Sequence, residues 1–303
     1  MTSQTHRFEA FVVCSALADS LTLQRHHRQP VVVDPRPEVV VGVDGLPGAL
    51  KAVTWGAIEA ELRCVPLRLV YAVDPSDAAT TGTGPLPAGP HDTALIAAAE
   101  RARRTSRSID VVAEIDHATA SVALARDSAV MICVGSNGPR PPHPGHRVGT
   151  ATEVLLDADC PVTIVRGDPL ADGWIVARLG SDPAATGLLR VAVDEAVLRR
   201  KPLRLLTHWA SCDGSTDPAE LDTRLTREID AWVGRHPGLD VAVESGVELE
   251  SYLRARVGQI ALFIAADRQS HDIGTVLDPA AECALGVLPC SVMLHAGATP
   301  GDL

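Results

Sequence analysis

Short apolar runs alternate with amphipathic segments along most of the chain. The first predicted strand, residues 39–44, is apolar at every position before Asp44, as expected of a parallel strand that is buried on both faces. Residues 49–63 then place small apolar side chains at helical spacing, and residues 66–73 form a second apolar run. This order predicts parallel strands joined by right-handed helical crossovers.

The same alternation continues as far as residue 165. We predict three more helices and three more strands: helices at 91–108, 119–126 and 150–157, and strands at 110–115, 130–134 and 161–165. The segment 74–92 between the second strand and the next helix is rich in Gly, Pro and Thr, which is typical of a surface loop or a lid. The fold class is therefore α/β, with a five-stranded parallel sheet flanked by helices.

The pattern begins again after a short linker at 167–173. Pro-Leu-Arg-Leu at 66–69 recurs at 202–205, 136 positions later, and Asp-Val at 110–111 recurs at 240–241, 130 positions later. A repeat of this length indicates tandem duplication of one domain. We predict an N-terminal arm at 1–37, a first domain at 38–166 and a second domain at 173–297.

Composition excludes several classes of function. The net charge of −11 argues against nucleic acid or an anionic membrane as the main partner. No apolar run is long enough to span a membrane, and the first residues lack the pattern of a signal peptide. Seven scattered cysteines without a C-x-x-C motif indicate small buried hydrophobes in a reducing compartment, so we expect a cytoplasmic protein.

A glycine motif follows the fourth predicted strand. Residues 134–138 read Val-Gly-Ser-Asn-Gly, and Gly149-Thr150 begins the next predicted helix. Glycines allow the backbone to approach a ligand, and a helix amino terminus offers N–H groups to an anion. The motif therefore predicts either a phosphate site or, as the simpler alternative, a tight turn after a strand.

These residues together resemble the universal stress protein family. The resemblance rests on residues 41–45 (Val-Gly-Val-Asp-Gly), the glycine motif at 134–138 with Gly149-Thr150, and the closing residues 160–165. It covers residues 38–166 well and 173–297 weakly, and it suggests the tandem form common in actinobacteria. The family's nucleotide-binding branch implies two flavodoxin-like, Rossmann-like domains of the adenine nucleotide α-hydrolase type, with ATP at the carboxyl ends of the strands.

The resemblance also assigns roles to residues of the first domain. It implies that Asp44 contacts the adenosine and that the backbone of Ala72 faces the adenine ring. It also implies that Mg²⁺ accompanies the nucleotide. The residues that would line the ribose and the phosphates are Val134, Gly135, Gly138, Gly149, Thr150 and Ala151. The closing strand of each domain would pair with the other, which gives an intramolecular pseudo-dimer, and a homodimer is a further expectation.

Two features of the sequence bear on these assignments. Ten residues separate Gly138 from Gly149 where the family motif has nine. The second copy has lost the motif altogether, because Asp44 aligns with Gly180, Gly135 with Ala265, Gly138 with Arg268, Gly149 with Pro279 and Thr150 with Ala280. We therefore expect at most one nucleotide site, in the first domain, and a degenerate second domain.

The function expected from the sequence is a stress-related regulator that binds ATP or another adenine nucleotide and hydrolyses it slowly or not at all. An unknown protein partner would read the bound state. Two alternatives stay open: a ligand-free interaction scaffold, and an enzyme of nucleotidyl chemistry. No P-loop, nucleophile elbow or complete metal-ligand set occurs, and the two histidines at 143 and 146 are more typical of a solvated proline-rich loop.

Overall fold

The computed structural model describes residues 36–74, 89–136, 150–180, 184–207, 218–267 and 284–296 of the 303-residue chain. The first half of the described chain contains β1 (Glu38–Gly42), α1 (Pro47–Arg63), β2 (Leu67–Ala72), α2 (Pro90–Thr105), β3 (Val111–Asp116), α3 (Ala120–Leu124), β4 (Ala129–Gly135), α4 (Thr150–Asp157) and β5 (Val162–Val165). The second half contains β6 (Trp174–Leu179), α5 (Ala184–Arg199), β7 (Leu203–Thr207), α6 (Pro218–Arg235), β8 (Val241–Ser245), α7 (Leu249–Ala255), β9 (Ile260–Asp267) and β10 (Ser291–Ala296).

The ten strands of the described residues join one continuous sheet in the order β3-β2-β1-β4-β5-β10-β9-β6-β7-β8. Neighbours within each half are parallel, as the strand–helix alternation predicts. The halves meet through β5 and β10, which run antiparallel with Thr163 opposite Met293. The structure therefore contains the pairing of closing strands that the family resemblance implied.

The predicted and observed elements of the first half agree closely. Helix α4 has the predicted bounds of 150–157, and the strand boundaries shift by one or two residues. The largest difference at the candidate site is in β1, which ends at Gly42 rather than at residue 44. The predicted arm falls almost entirely on residues 1–35, outside the described part of the chain.

Helices cover both faces of the sheet. Alternate residues of β1 point to opposite faces, so that Val39 and Val41 pack towards α1 while Val40 packs towards α3. The first face carries α1, α2, α5 and α6, and the second carries α3, α4 and α7. Because both faces are covered, β1 is apolar from Val39 to Gly42. Within the described chain, none of the helices has the length and apolarity needed to cross a membrane.

Corresponding ion pairs lie in the two halves. Arg126 donates hydrogen bonds to Glu114 and Asp116, and the equivalent Arg256 lies 3.6 Å from Glu244. Both arginines follow the short helix after the third strand of their half, and their side chains reach back to acids of that strand. The retained pair supports the tandem duplication inferred from the sequence.

A ring of four charges joins α1 to α5 where the two halves meet. Glu59 and Arg63 pair within α1, with 2.6 Å between Oε1 and Nε. Glu195 and Arg199 pair in the same way within α5, at 2.8 Å. Arg63 also pairs with Glu195, and Arg199 pairs with Glu59. We call this ring the charge quartet. Because both carboxylates are fully buried, each half supplies a cation that pairs with the buried acid of the other.

Two neighbours enclose the charge quartet. The guanidinium carbon of Arg199 lies 4.2 Å from the ring centroid of the buried Trp55, in cation–π geometry. Cys133 of β4 faces the same charges, and burial raises the pKa of its thiol well above the usual range. The thiol is therefore neutral and acts as a small hydrophobe, as the sequence predicts for the cysteines.

The charge quartet should make stability depend on pH. Burial, and next the carboxylate of Glu195, raise the pKa of Glu59 to about 7 from an ordinary value of 4.5, against the opposing effect of Arg199 and Arg63. An acid whose pKa is higher in the folded state than in the unfolded state stabilises the fold while it is protonated. The free energy of unfolding should therefore fall as the pH rises from 5 to 7, by at most about 3 kcal/mol. Glu59→Gln should flatten this fall in a pH series of denaturant melts.

The control for this pH series is Glu250→Gln. Glu250 is an exposed acid that pairs only with Arg254 of its own helix among the described residues. Its replacement should leave the pH dependence of the wild type unchanged. An equally steep fall in Glu59→Gln would contradict the assignment of the slope to Glu59.

Candidate functional site

The candidate site lies at one edge of the first half of the sheet. The strands β1 and β4 are neighbours, and the chain turns to opposite sides of the sheet after each of them, towards β2 after β1 and towards β5 after β4. This is a topological switch point, where the loops after two adjacent strands diverge and leave a crevice. Register places Val41 opposite Cys133, so both strands end at the same edge.

Asp44 follows β1 at this edge and is exposed. Its Oδ1 accepts a hydrogen bond of 2.8 Å from the amide of Leu46. Gly45 between them has φ +78°, a left-handed conformation that glycine adopts without strain. This turn leads directly into α1, whose first turn contains no acidic residue and whose N-cap Leu46 supplies no side-chain acceptor. The positive end of the helix dipole therefore lies beside a single carboxylate.

Gly135 ends β4 and packs directly against the start of α1. A Cβ at position 135 would lie 2.2 Å from the carbonyl carbon of Gly48 and 2.5 Å from the nitrogen of Ala49. Only glycine allows this approach, whether or not a ligand is bound. The packing thus brings the amino end of α1 to the switch point. This structural role of Gly135 was not predicted from the sequence.

The other predicted site residues are distributed around the same edge. Ala72 ends β2, next to β1, and Val134 is buried next to Gly135. Thr150 and Ala151 begin α4, the helix that follows β4 along the chain. Gly138 and Gly149 lie outside the described residues, and so does most of the proline-rich loop between them. Their approach to a phosphate stays a prediction.

The equivalent edge of the second half has a different set of residues. Gly180 stands where the first half has Asp44, and the buried Ala265 stands where it has Gly135. The residues Arg268, Pro279 and Ala280, which replace the rest of the motif, lie outside the described chain. The second half therefore lacks both the carboxylate and the glycine that shape the first edge.

Two further differences between the halves escaped the sequence analysis. Arg178 in β6 replaces Gly42 of β1, and His295 in β10 replaces Val165 of β5. Burial lowers the pKa of His295, whose Nε2 lies near Gly187 of α5. Applying the repeat offsets to every position of the strands would have revealed both substitutions.

The acids at the first edge are spread along it. Asp74 and Asp116 follow or end β2 and β3, as Asp44 follows β1. Within the described ranges, no group of three His, Cys, Asp or Glu side chains is close enough to hold a metal ion. Any divalent cation at this edge would need the oxygens of a bound ligand in addition to those of the protein.

Comparisons with known proteins agree with this architecture. Residues 36–166 match the model of the universal stress protein family. A universal stress protein of Mycobacterium tuberculosis strain H37Rv is 32% identical over 253 residues, which cover 78% of this chain and 88% of that protein.

Solved structures extend the likeness to the fold. The crystal structure of a universal stress protein from Archaeoglobus fulgidus matches 87% of this chain and 97% of its own, with a TM-score of 0.60 and 18% identity. A structure of the universal stress protein from the same organism in complex with dAMP matches 42% of this chain and 96% of its own, with a TM-score of 0.30 and 22% identity. At that likeness neither the ligand nor its position transfers to this chain. The match to the Mycobacterium protein over most of both sequences shows that the chain belongs to the universal stress protein family.

Proposed function

We propose that the protein is a stress-linked regulator that binds an adenine nucleotide, ATP in the first instance, at the switch point between β1 and β4. The observation that carries this proposal is the position of Asp44, an exposed carboxylate beside the amino end of α1. A carboxylate can accept hydrogen bonds from ribose hydroxyls, while helix amino termini attract phosphates. Both kinds of group meet at this edge.

The two halves would have different tasks. Residues 38–166 would form the nucleotide-binding domain, and residues 173–297 a degenerate partner that completes the sheet through β10. The loss of Asp44 and Gly135 equivalents in the second half supports this division. Regulation would follow from the bound state rather than from turnover, with a protein partner in the cytoplasm that recognises it.

A Mg²⁺ ion would enter with the nucleotide rather than occupy a prepared site. Asp44 supplies one carboxylate, and one of its oxygens already accepts the Leu46 amide. An ion that prefers six oxygen ligands would therefore depend on phosphate oxygens and water for most of its ligands. In this proposal the protein orients the phosphates, and the ion neutralises part of their charge.

The proposal predicts that the purified protein binds ATP and that Asp44→Ala weakens binding at least tenfold. Asp44→Asn should also weaken binding, because it removes the negative charge. Its amide oxygen can still accept the hydrogen bond from the Leu46 amide, so the turn itself is kept. Calorimetric titration, together with chromatography of nucleotide released on denaturation, measures both effects.

The matched control is Asp168→Ala. Asp168 is also exposed, and its Oδ1 accepts a hydrogen bond of 2.9 Å from the amide two residues later, at Leu170. Its loss removes the same kind of turn after β5 rather than after β1, so ATP binding should persist. Equal affinity in Asp44→Ala and wild type would refute the placement of the nucleotide, and rapid multiple turnover would refute the regulatory assignment.

A second candidate function is a ligand-free interaction scaffold. Val122 on α3 and Leu156 on α4, two helices that pack together, expose 58% and 54% of their surface. Exposed apolar side chains on neighbouring helices are typical of surfaces that contact other proteins. Absence of any adenine nucleotide from the wild type, in release and titration alike, would favour this candidate.

A further inference from the structure

A cleft of about 500 Å³ opens in the second half, at the amino ends of its strands. It lies where α5 and α6 end and where β7 and β8 begin. We call it the basal cleft. The residues that matter for its chemistry are Val197, Arg200, Lys201, Arg235, His236 and Gly238. Its volume is in the range typical of small-molecule sites.

The lining is basic although the whole chain carries a net charge of −11. Arg200 and Arg235 are exposed, and no carboxylate of the described residues lies within 4 Å of either guanidinium. Arg235 instead lies over the ring of Trp232, with 4.8 Å from its guanidinium carbon to the ring centroid. Two guanidinium groups are therefore available to an anion.

The acids near the basal cleft are mostly engaged elsewhere. Asp240 accepts hydrogen bonds from Arg204, the nearest at 3.0 Å. Asp172 pairs with Lys201 at 2.8 Å, which reduces the charge that Lys201 offers. The electrostatic character of the cleft therefore depends mainly on Arg200 and Arg235.

The first half of the chain provides an internal comparison. At its equivalent edge, Ser108 donates a hydrogen bond of 2.9 Å from its hydroxyl to Glu61 of α1, which links the two walls of the cleft. The repeat offsets align Glu61 with Val197 and Ser108 with Gly238. Neither replacement can form that link, and a Cβ at Gly238 would have no atom within 4 Å. The second half has therefore lost both the bridge and the acid that occupies this edge in the first half.

Basic residues replace uncharged ones at the same edge. Arg200, Arg235 and His236 align with Cys64, Thr105 and Ser106, and only Pro237 shows the reverse change, from Arg107. Cations near a helix carboxyl terminus also stabilise the helix dipole, which alone would account for Arg235. The dipole does not account for the simultaneous loss of Glu61 and Ser108 equivalents, which opens the cleft.

We propose that the basal cleft binds a small phosphorylated molecule through Arg200 and Arg235. Guanidinium groups bind phosphate oxygens in bidentate geometry, and Val197 and Leu239 supply an apolar wall for the rest of the ligand. This site is separate from the proposed nucleotide site, because the two lie in different halves of the chain and four strands, β5, β10, β9 and β6, stand between β4 and β7 in the sheet.

The test uses pyrophosphate as probe and the full chain labelled with 5-fluorotryptophan. Trp232, which lies against Arg235 and is stacked with His236 at a centroid distance of 6.4 Å, reports on the basal cleft. Its ¹⁹F resonance, assigned with Trp232→Phe, should shift saturably at constant ionic strength. The double variant Arg200→Gln with Arg235→Gln should weaken the apparent affinity at least tenfold.

Two controls make the result specific. Arg224→Gln with Arg227→Gln removes two exposed charges from the same helix, and the response of Trp232 should stay within twofold of the wild type. Val197→Glu with Gly238→Ser restores the first-half bridge and should abolish the response, whereas Asp44→Ala should preserve it. A Trp232 resonance that does not shift in the wild type, or that shifts equally in the double glutamine variant, would overturn the proposal.

Discussion

Replacing Arg199 by methionine should lower the free energy of unfolding by about 3–5 kcal/mol at pH 8. The side chains of Glu59 and Glu195 are fully buried, and each pairs with Arg199. Methionine retains much of the aliphatic volume but leaves two buried carboxylates with Arg63 as their remaining cation in the charge quartet. Removing one partner of a buried charge group has this order of cost, because the uncompensated charge stays out of water.

The cost of Arg199→Met should also grow with pH. Arg199 lowers the pKa of Glu59, which burial and Glu195 raise to about 7, so the variant should shift that pKa further upwards. The folded variant then holds a proton that the unfolded chain releases, and stability declines as the pH rises through the new value. Denaturant melts at pH 6 and pH 8 measure the difference, and an equal cost at both values would contradict this account.

Arg254→Met is the matched control for this prediction. Arg254 pairs with Glu250 four residues earlier on α7, as Arg199 pairs with Glu195 on α5, but both side chains are about half exposed. An exposed pair of this kind contributes only about 0.3–0.5 kcal/mol. By contrast, replacing all four members of the charge quartet with apolar residues of similar size should be far less harmful than removing Arg199 alone.

The order of strands and helices could be predicted from the sequence because each element has a local signature. The apolar run at 130–134 and the helical spacing at 150–157 each lie within a few residues, and both match the observed elements closely. The duplication was visible for the same reason, since it repeats short local patterns at fixed offsets. Local patterns also placed Asp44 and Gly135 at the ends of two strands, which the topology makes neighbours.

Contacts between distant segments could not be predicted in this way. Glu59 and Glu195 are related by the repeat offset of 136, but an acid on a helix is ordinarily exposed, and only the joined sheet shows that both are buried. The basal cleft depends likewise on Val197 and Gly238, which lie on different elements. Each of these features depends on contacts that only the folded chain brings together.

Gly135→Ala should both destabilise the protein and weaken nucleotide binding. The added methyl group would meet the backbone of Gly48 and Ala49, which cannot rotate away as a flexible side chain can. The amino end of α1 must then withdraw from β4, at a cost of about 1–3 kcal/mol. Since the proposed site depends on Asp44 and the start of α1 lying beside β4, ATP affinity in calorimetric titration should fall at least tenfold.

The control for this prediction is Gly234→Ala, which makes the same change at an exposed position of α6. A Cβ there would meet no atom within 4 Å, and alanine favours the helix by up to about 1 kcal/mol, so stability should rise while ATP binding stays unchanged. The second half has already accepted the change, with Ala265 and Ala184 in place of Gly135 and Gly48. If Gly135→Ala is destabilised yet binds ATP normally, the nucleotide does not use this edge. If binding falls with stability, the same close packing both shapes the fold and positions the ligand.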